Sequence, residues 1–186
     1  MDLYLMDAIL KGHLPEAGKV LDVGCGEGRN GIYFINQGYE YHGIDQDSYK
    51  IKLLEYLAAS LPTSNTSFTI DSMHKVHYQD DYDVLIASRI LHFSNDRESF
   101  LALWEKLKES VKAGGVLYFA VDSAIASEFI TEKPNGQTEF EDGSVSFALT
   151  NSMYQQMKNG LLEVEMLKTI IYQKRKVQSF GLLRKL

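Results

Sequence analysis

The stretch VLDVGCGEGRN, residues 20–30, decides the fold of this chain. A short apolar run, Val20 to Val23, leads into a turn with glycine at alternate positions, and a segment with helical character follows. Glycine allows the backbone to adopt φ > 0 and to approach a ligand closely, and the first N–H groups of a helix lack partners within the helix. In open α/β sheets such a turn lies in the ligand crevice at the carboxyl ends of the strands. The stretch therefore predicts a ligand-binding loop at the edge of a parallel sheet.

Apolar runs of strand length alternate with helix-period segments along the chain. Strands are predicted, in chain order, at residues 20–23, 39–45, 68–71, 84–87 and 116–121. The segments between them have the spacing of amphipathic helices. Alternation of this kind predicts a mostly parallel sheet with helices on both faces.

Local signals predict the boundaries of several helices. Asp47 can cap the helix that follows the second strand, and Asn95 with Glu98 three residues later predicts the start of another helix. The pair Gly114-Gly115 predicts the end of that later helix. A short amphipathic helix is also predicted within residues 1–15, and its apolar face consists of Leu3, Met6 and Leu10.

The chain changes character after Asp122. Residues 123–148 are largely polar and are predicted to form an insertion on the substrate side of the sheet. A helix at 150–158 is followed by two strand-like segments, 161–172 and 177–183. The connection between these segments is too short for a crossover, so the two strands must be antiparallel. We therefore predict a single domain over residues 1–186, in which a C-terminal hairpin closes the parallel sheet.

Composition restricts the classes of function. The chain has 186 residues, of which 45% are apolar and 24% charged, as is typical of one globular domain. The net charge of −6 argues against a protein that grips phosphate backbones, so no nucleic-acid partner is expected. Cys25 is the one cysteine, which excludes an internal disulfide and a multi-cysteine zinc site and favours a reducing, cytoplasmic compartment. No signal peptide or membrane span is visible, so we expect no membrane partner. No metal is expected either, because the pair His74 and His77 has no evident third ligand.

The spacing of the glycines distinguishes between cofactors. Dinucleotide sites use Gly-x-Gly-x-x-Gly, in which a pyrophosphate lies at the helix N-terminus. Here the pattern is Gly-x-Gly-x-Gly, and Arg29 stands where the last dinucleotide glycine would be. Asp22 suits a cationic group better than a pyrophosphate, and Asp45, at the end of the second strand, can accept both hydroxyls of a ribose. These features indicate a nucleoside with a positive or zwitterionic tail and disfavour a dinucleotide-dependent reductase.

The segments that carry these features resemble the class I S-adenosylmethionine-dependent methyltransferases. The matching segments are residues 20–30, 43–45, 82–93 and 113–117. Within that family, the run GEGRNGIYFINQG at 26–38 is most similar to the tellurite-resistance branch of small-molecule methyltransferases. The resemblance implies a Rossmann-like, seven-stranded, mostly parallel α/β sheet whose last two strands form the antiparallel hairpin. It also implies that the cofactor is S-adenosylmethionine.

The resemblance further implies a set of cofactor-binding residues. The methionine part of the cofactor would contact the loop and the end of the fourth strand, through Gly24, Gly26, Gly28, Ala87 and Ser88. Asp22 would lie beneath the loop and hold bound water or the ammonium group. The nucleoside would contact the ends of the second and third strands, with Asp45 on the ribose, Gln46 along the adenosine, and Asp71, Ser72 and Met73 around the adenine.

Each of these residue types also has an ordinary structural role. Asp45 can be a helix-capping residue, as Asp47 is expected to be, and Asp71 can be a turn residue. Met73 fits a hydrophobic core as well as it fits an adenine contact. The glycine-rich segment can also be no more than a tight turn between a strand and a helix.

Methyl transfer from a sulfonium needs alignment more than it needs catalytic groups. The carbon is already activated, so a general base is required only when the acceptor must lose a proton. His92, four residues past Ser88, is the candidate base, with a structural histidine as the alternative. Arg89 can either orient an anionic acceptor or form a surface salt bridge.

The absence of certain catalytic motifs from the sequence excludes several classes of methyl acceptor. Cytosine C5 chemistry needs a cysteine nucleophile near the fourth strand, and the one cysteine lies in the glycine loop. Where amine methyltransferases of this fold carry an Asn/Asp-Pro-Pro-Tyr motif, residues 87–90 read Ala-Ser-Arg-Ile. We therefore expect a small-molecule acceptor. A methyltransferase-like module that binds the cofactor without turnover is the alternative function.

Overall fold

The computed structural model describes residues 1–61, 65–75, 81–125, 130–133, 136–172 and 176–186. The strands in these ranges are β1 (Lys19–Val23), β2 (Glu40–Asp45), β3 (Asn65–Ile70), β4 (Tyr82–Ser88), β5 (Val111–Asp122), β6 (Ile130–Glu132), β7 (Thr138–Phe140), β8 (Val145–Ser146), β9 (Leu161–Ile171) and β10 (Val177–Lys185). The α-helices are α1 (Leu3–Leu10), α2 (Gly31–Asn36), α3 (Ser48–Ala59), α4 (Arg97–Ser110) and α5 (Asn151–Met157), and a 3-10 turn, Leu91–Phe93, follows β4. Within the same ranges, none of the helices has the length and apolar character needed to cross a membrane.

A seven-stranded sheet in the order β3-β2-β1-β4-β5-β10-β9 forms the centre of the fold. The strands from β1 to β5 are parallel, and β10 runs antiparallel to both β5 and β9. From β1 the chain proceeds to β2 and β3 on one side of the sheet and then to β4 and β5 on the other. In open α/β sheets, ligands bind at such a switch point, outside the carboxyl ends of the strands. The predicted seven-stranded sheet with its C-terminal hairpin is confirmed.

Side chains of the sheet alternate between two buried clusters, one on each face. In β1, Leu21 and Val23 belong to one cluster and Val20 to the other. Trp104 of α4 packs in the first cluster, and Phe34 of α2 packs in the second. Successive residues of a strand point to opposite faces, so a sheet covered on both faces needs strands that are apolar throughout. This requirement explains the continuous apolar runs at residues 84–87 of β4 and 116–121 of β5.

The first helix is present, but its predicted apolar face is wrong. Leu3, Met6 and Leu10 are 66%, 41% and 81% exposed, respectively. The helix packs on the sheet through Leu5 and Ala8, which are buried. An ion pair from Asp7 to Lys168 of β9, at 2.9 Å, helps to fix this orientation. Because the partner lies in a distant part of the chain, the local period of the helix could not indicate it.

The start of α4 differs from the prediction by one residue. Its N-cap is Asp96 and not Asn95, because the Asp96 carboxylate accepts the backbone N–H of Ser99 at 2.7 Å. The Ser99 side chain in turn accepts the N–H of Asp96 at 3.2 Å, which completes a capping box. Serine therefore has the role that was predicted for Glu98.

The predicted end of α4 is also wrong. The helix ends at Ser110, and the pair Gly114-Gly115 lies inside β5. Val111 is fully buried and pairs with Tyr82 of β4. Burial of this side chain against the sheet ends the helix before the glycines, and the register between β4 and β5 then shifts after that pair.

The polar segment 123–148 contains a second sheet that the sequence did not predict. In this sheet β7 lies between β6 and β8, and both pairings are antiparallel. The N–H of Phe147 donates to the carbonyl of His92 at 3.3 Å, which places this segment against the turn that follows β4. The turn predicted at 134–136 falls partly outside the described residues, as does the hairpin connection at 174–176.

Candidate functional site

A cavity of about 640 Å³ opens at the carboxyl ends of the parallel strands. Its wall consists of the loop after β1, the end of β2 with the start of α3, the turn after β3 and the segment after β4. Most of the predicted cofactor-binding residues lie in this wall, namely Gly24, Gly26, Asp45, Gln46, Asp71, Ser72, Met73 and Ser88. The volume is in the range of small-molecule and cofactor sites.

Tight folding of the loop after β1 depends on its glycines. Gly24 has φ +71°, and a side chain there would lie 2.1 Å from Cγ2 of Ile90. Its N–H donates to the carbonyl of Ile44 at 2.7 Å, which ties the loop to β2. Gly26 has φ +55°, and the nearest atom to an added Cβ is the Cδ of Lys50, at 4.0 Å. Gly26 therefore presents bare backbone to open space in the cavity.

Asp45 joins β2 to this loop. One oxygen of its carboxylate accepts the backbone N–H of Gly26 at 2.9 Å, and the other accepts the N–H of Asp47 at 2.9 Å. The helix-capping role that was an alternative for Asp45 belongs to Asp47, which accepts the N–H of Tyr49 at 3.0 Å. Each carboxylate oxygen has a further lone pair, so Asp45 can still accept hydrogen bonds from a ligand in the cavity.

Asp22 lies beneath the loop and does not line the cavity. The residue is 2% exposed, and its carboxylate accepts the hydroxyl of Tyr41 at 2.8 Å. Burial, opposed by that hydrogen bond, raises the pKa of Asp22 to about 7. Asp22 therefore supports the loop from below through a polar contact with β2.

Gly28 and Ala87 lie behind the wall of the cavity. Gly28 has φ +82°, and a side chain there would lie 2.3 Å from Cδ1 of Leu54 in α3. Position 28 therefore requires glycine so that the loop can pack against that helix. Ala87 is fully buried in the cluster that contains Trp104. The structure therefore places neither residue where the sequence analysis expected it, in contact with the cavity.

The turn after β3 forms the side of the cavity that was expected to hold the adenine. The N–H of Asp71 donates to the carbonyl of Asp45 at 3.2 Å, and its carboxylate accepts the N–H of Ser72 at 2.6 Å. Asp71 is thus a turn residue and a wall residue at the same time. Met73 packs against a core cluster and also lines the cavity, so its contact with an adenine stays a prediction.

The end of β4 and the segment that follows it line the cavity across from the turn after β3. Ser88 lines the cavity, and Arg89, the next residue, has φ +61°. This left-handed conformation is uncommon for a residue other than glycine and is found at functional sites more often than elsewhere. The N–H of Arg89 donates to the carbonyl of Ala120 at 2.7 Å, which holds the conformation in place. Phe93 and Asn95 complete this side of the wall.

His92, the candidate base, does not line the cavity. Its Nδ1 is buried and has no hydrogen-bond partner among the described residues, and burial lowers the pKa of the imidazole. The charge of Asp122 opposes this lowering of the His92 pKa. The Asp122 carboxylate accepts hydrogen bonds from Gln178 at 3.0 Å and from Ser146 at 2.8 Å. Burial opposes ionisation of Asp122, but His92 and these hydrogen bonds hold its pKa below the ordinary value. His92 therefore lies outside the cavity wall, and its carbonyl accepts the N–H of Phe147 from the segment 123–148.

Several wall residues were missed by the sequence analysis: Ile44, Lys50, His74, Ile90, Phe93 and Asn95. The position of Lys50 could have been inferred, since it lies in the first turn of the helix that follows β2 and so at the same edge of the sheet. No periodicity distinguishes Phe93 and Asn95 from other loop residues. In the part of the chain that the structure describes, no group of three His, Cys, Asp or Glu side chains could hold a metal.

The amino-acid sequence of this chain is similar to those of known methyltransferases. A family model described as "Tellurite resistance protein TehB" matches residues 7–138, which is more than half of the chain. A probable S-adenosyl-L-methionine-dependent methyltransferase TehB from Haemophilus influenzae is 30% identical over 97 residues, which cover 52% of this chain and 33% of the relative. This chain thus spans about a third of the length of that curated relative.

Solved structures share the same fold. The crystal structure of TehB from Haemophilus influenzae matches with a TM-score of 0.76 at 19% identity, covering 100% of this chain and 63% of that chain. A 1,6-didemethyltoxoflavin-N1-methyltransferase from Burkholderia thailandensis, solved with 1,6-didemethyltoxoflavin and S-adenosylhomocysteine bound, matches with a TM-score of 0.73 at 16% identity, covering 96% and 75%. Because the family model spans the glycine loop, the cavity wall and β1 to β5, the chain belongs to the TehB family of class I S-adenosylmethionine-dependent methyltransferases.

Proposed function

We propose that this chain binds S-adenosylmethionine and transfers its methyl group to a small-molecule acceptor. The observation that carries the proposal is the position of Asp45, which lies in the cavity wall while its carboxylate accepts the N–H of Gly26 at 2.9 Å. A carboxylate at this strand end can accept the hydroxyls of a ribose at the switch point of the sheet. No phosphate-binding pattern accompanies it, since Arg29 replaces the last glycine of the dinucleotide motif.

The two sides of the cavity fit the two ends of such a cofactor. Asp71, Ser72 and Met73 lie on one side and would surround the adenine. Gly24 and Ser88 lie toward the other side and would contact the methionine part. The bare backbone of the loop between these sides allows a ligand to approach it closely.

The chain would contribute chiefly alignment and exclusion of water. When bound, the cofactor supplies a methyl carbon that is already activated by the sulfonium. Correct orientation of two reactants can lower a barrier by about 7–11 kcal/mol. Ile90 and Phe93 offer apolar surface at the acceptor side, and Arg89 offers a positive charge there. These residues would bind the acceptor in line with the methyl group.

A small acceptor is favoured over a macromolecule. The cavity of about 640 Å³ would hold the cofactor and leave room for a small molecule beside Arg89 and Phe93. The net charge of −6 disfavours binding to a nucleic acid. His92 lies behind the wall, so acceptors that present a lone pair without losing a proton fit the site best.

We propose that residues 1–186 act as one domain, with the segment 123–148 on the acceptor side. In support, the N–H of Phe147 donates to the carbonyl of His92 at 3.3 Å, which joins the small sheet to the segment after β4. The small sheet would then cover the acceptor side and would not be a separate unit.

One observation favours the alternative, a module that binds the cofactor without turnover. The candidate base, His92, does not line the cavity. Such a module would need the cofactor wall but no access for an acceptor. The two functions therefore make the same prediction for cofactor binding and opposite predictions for methyl transfer.

Incubation of the purified chain with methyl-labelled S-adenosylmethionine separates these functions. The acceptors to be offered are small thiols, amines and chalcogen oxyanions. We expect label in one class of acceptor, an equal amount of S-adenosylhomocysteine, and loss of both in Asp45→Ala. The control is Asp81→Ala, which changes an aspartate that pairs with Lys19 at the opposite edge of the sheet. Cofactor binding with no transfer to any acceptor would support the module, and absence of both would contradict the proposal.

A further inference from the structure

Asp2 links the first helix to the segment after the glycine loop and to the end of β4, which borders the cavity. Asp2, the N-cap of α1, is 6% exposed. Its backbone N–H donates to Oδ1 of Asn30 at 2.8 Å. Its carboxylate accepts the N–H of Tyr4 at 3.2 Å and the hydroxyl of Ser88 at 3.3 Å. One residue therefore contacts the segment after the glycine loop and the end of β4.

Asn30 is used for this contact and not for its own helix. It is the N-cap of α2 and is buried, but its side chain makes no capping hydrogen bond. Asparagine ordinarily stabilises a helix by capping it, so the diversion of its side chain costs local stability. The side-chain oxygen instead accepts the N–H of Asp2, which fixes Asp2 beside the cofactor loop.

The hydrogen bond from Ser88 determines what Ser88 can offer to the cavity. A serine hydroxyl has one proton and two acceptor lone pairs. With the proton donated to Asp2, only lone pairs remain for a ligand. Ser88 lines the cavity, so it faces a ligand there as an acceptor. An acceptor backed by a buried negative charge is complementary to a cationic group.

The hydrogen-bond donors to the Asp2 carboxylate are neutral groups, the N–H of Tyr4 and the hydroxyl of Ser88. Among the ion pairs of the described residues, none involves Asp2. Burial and the nearby Asp2 carboxylate both raise the pKa of the Tyr118 hydroxyl, which remains a neutral donor. Arg89 opposes that shift, and it is the cation on this side of the cavity wall.

We infer that Asp2 is a positioning residue that acts through Ser88, turning its hydroxyl into an acceptor that faces the sulfonium group of the cofactor. The inference rests on the proposed binding of S-adenosylmethionine. This cofactor carries a sulfonium charge that the product, S-adenosylhomocysteine, lacks. Asp2 therefore favours binding of the substrate form over the product form, which promotes release of the product after transfer.

The test compares the affinities of the two cofactor forms, measured by calorimetry, for the wild-type chain and for Asp2→Asn. Asparagine caps a helix as well as aspartate does, so α1 and the thermal unfolding midpoint should be retained. Its amide can donate to Ser88 and so reverse the polarity of the contact. We expect affinity for S-adenosylmethionine to fall by about tenfold, as for loss of a hydrogen bond to a charged group, and affinity for S-adenosylhomocysteine by about threefold or less.

Ser88→Ala tests the same link without altering the cap of α1. It should change the ratio of the two affinities in the same direction, and the double variant should show no further loss, because both substitutions remove one interaction. Asp7→Asn is the control, since it removes the ion pair of α1 with Lys168 without touching Ser88. It should leave the ratio unchanged.

The possible failures are distinguishable. If the wild-type chain binds neither form, the proposed function is contradicted together with this inference. If it binds both, and Asp2→Asn either leaves the ratio unchanged or weakens both forms equally, the inference alone is overturned. Additive losses in the double variant would also overturn it, because Asp2 would then act independently of Ser88.

Discussion

The carboxylate of Asp45 lies 2.9 Å from the backbone nitrogen of Gly26, so the end of β2 holds the loop that follows β1. The contact joins two elements that are neighbours in the sheet, with Val23 of β1 in register with Ile44 of β2. Two glycines of that loop have different environments. Gly26 faces open space in the cavity, whereas Gly28 packs against α3.

We expect Gly26→Ala to weaken cofactor binding while leaving the fold nearly intact. The added Cβ would meet no protein atom closer than 4.0 Å, and it would project into the space where a ligand approaches the backbone. The positive φ of +55° costs the variant about 1 kcal/mol of stability. Affinity for S-adenosylhomocysteine, measured by calorimetry, should fall by more than about tenfold. Unchanged affinity would show that the loop does not touch the ligand.

Gly28→Ala should chiefly lower the stability of the fold, whereas Gly26→Ala chiefly lowers cofactor affinity. Its Cβ would lie 2.3 Å from a methyl group of the buried residue Leu54, so the loop and α3 must move apart. Overpacking of this kind costs about 1–3 kcal/mol, in addition to the backbone strain. Urea unfolding followed by the emission of Trp104, the one tryptophan, measures the loss of stability.

Gly38→Ala is the matched control for this variant. Gly38 has the same φ, +82°, but an added Cβ there has no atom within 4 Å. The difference between the two variants therefore isolates the steric contact with Leu54. Equal losses of stability in the two variants would contradict the packing role assigned to Gly28.

Asp22 should make the stability of the chain depend on pH. Its pKa is raised from the ordinary value of 3.8 to about 7 in the folded chain, chiefly by burial. The folded state therefore holds a proton that the unfolded state releases, and this contribution to stability is lost as the pH rises from about 4 through 7. Asp22→Asn removes the titration and can still accept the hydroxyl of Tyr41.

The free energy of unfolding of Asp22→Asn relative to wild type should therefore rise between pH 5 and pH 8. The expected rise is about 2–3 kcal/mol, from the difference between the folded and unfolded pKa values. Urea titrations of both proteins at the two pH values measure it. A difference that is constant with pH, or that falls, would show that Asp22 is ionised beneath the loop.

Much of the fold could be predicted because the determining signals are local. The strands β4 and β5 contain continuous apolar runs, at residues 84–87 and 116–121, as burial on both faces requires. The antiparallel pairing of β9 with β10 follows from the length of the connection alone. The glycine loop and Asp45 could be recognised because spacing in the sequence is closely tied to geometry where a strand ends and a helix begins.

What could not be predicted depends on contacts between distant parts of the chain. Leu3 and Leu10 have helical spacing but face solvent, because α1 is oriented by partners in β9 and by Asp2. The positive φ of Arg89 leaves no mark in the sequence. The end of α4 was misplaced because Val111 is drawn into the sheet by pairing with β4.

Calorimetric titration of the purified chain with S-adenosylhomocysteine, alongside Asp45→Ala, tests the cofactor site most directly. The account predicts micromolar binding by the wild-type chain, about −8 kcal/mol, and no detectable binding by the variant. The variant should remain folded, as judged by the emission of Trp104. Failure of the wild-type chain to bind at high concentration, or equal affinity in Asp45→Ala, would contradict the account.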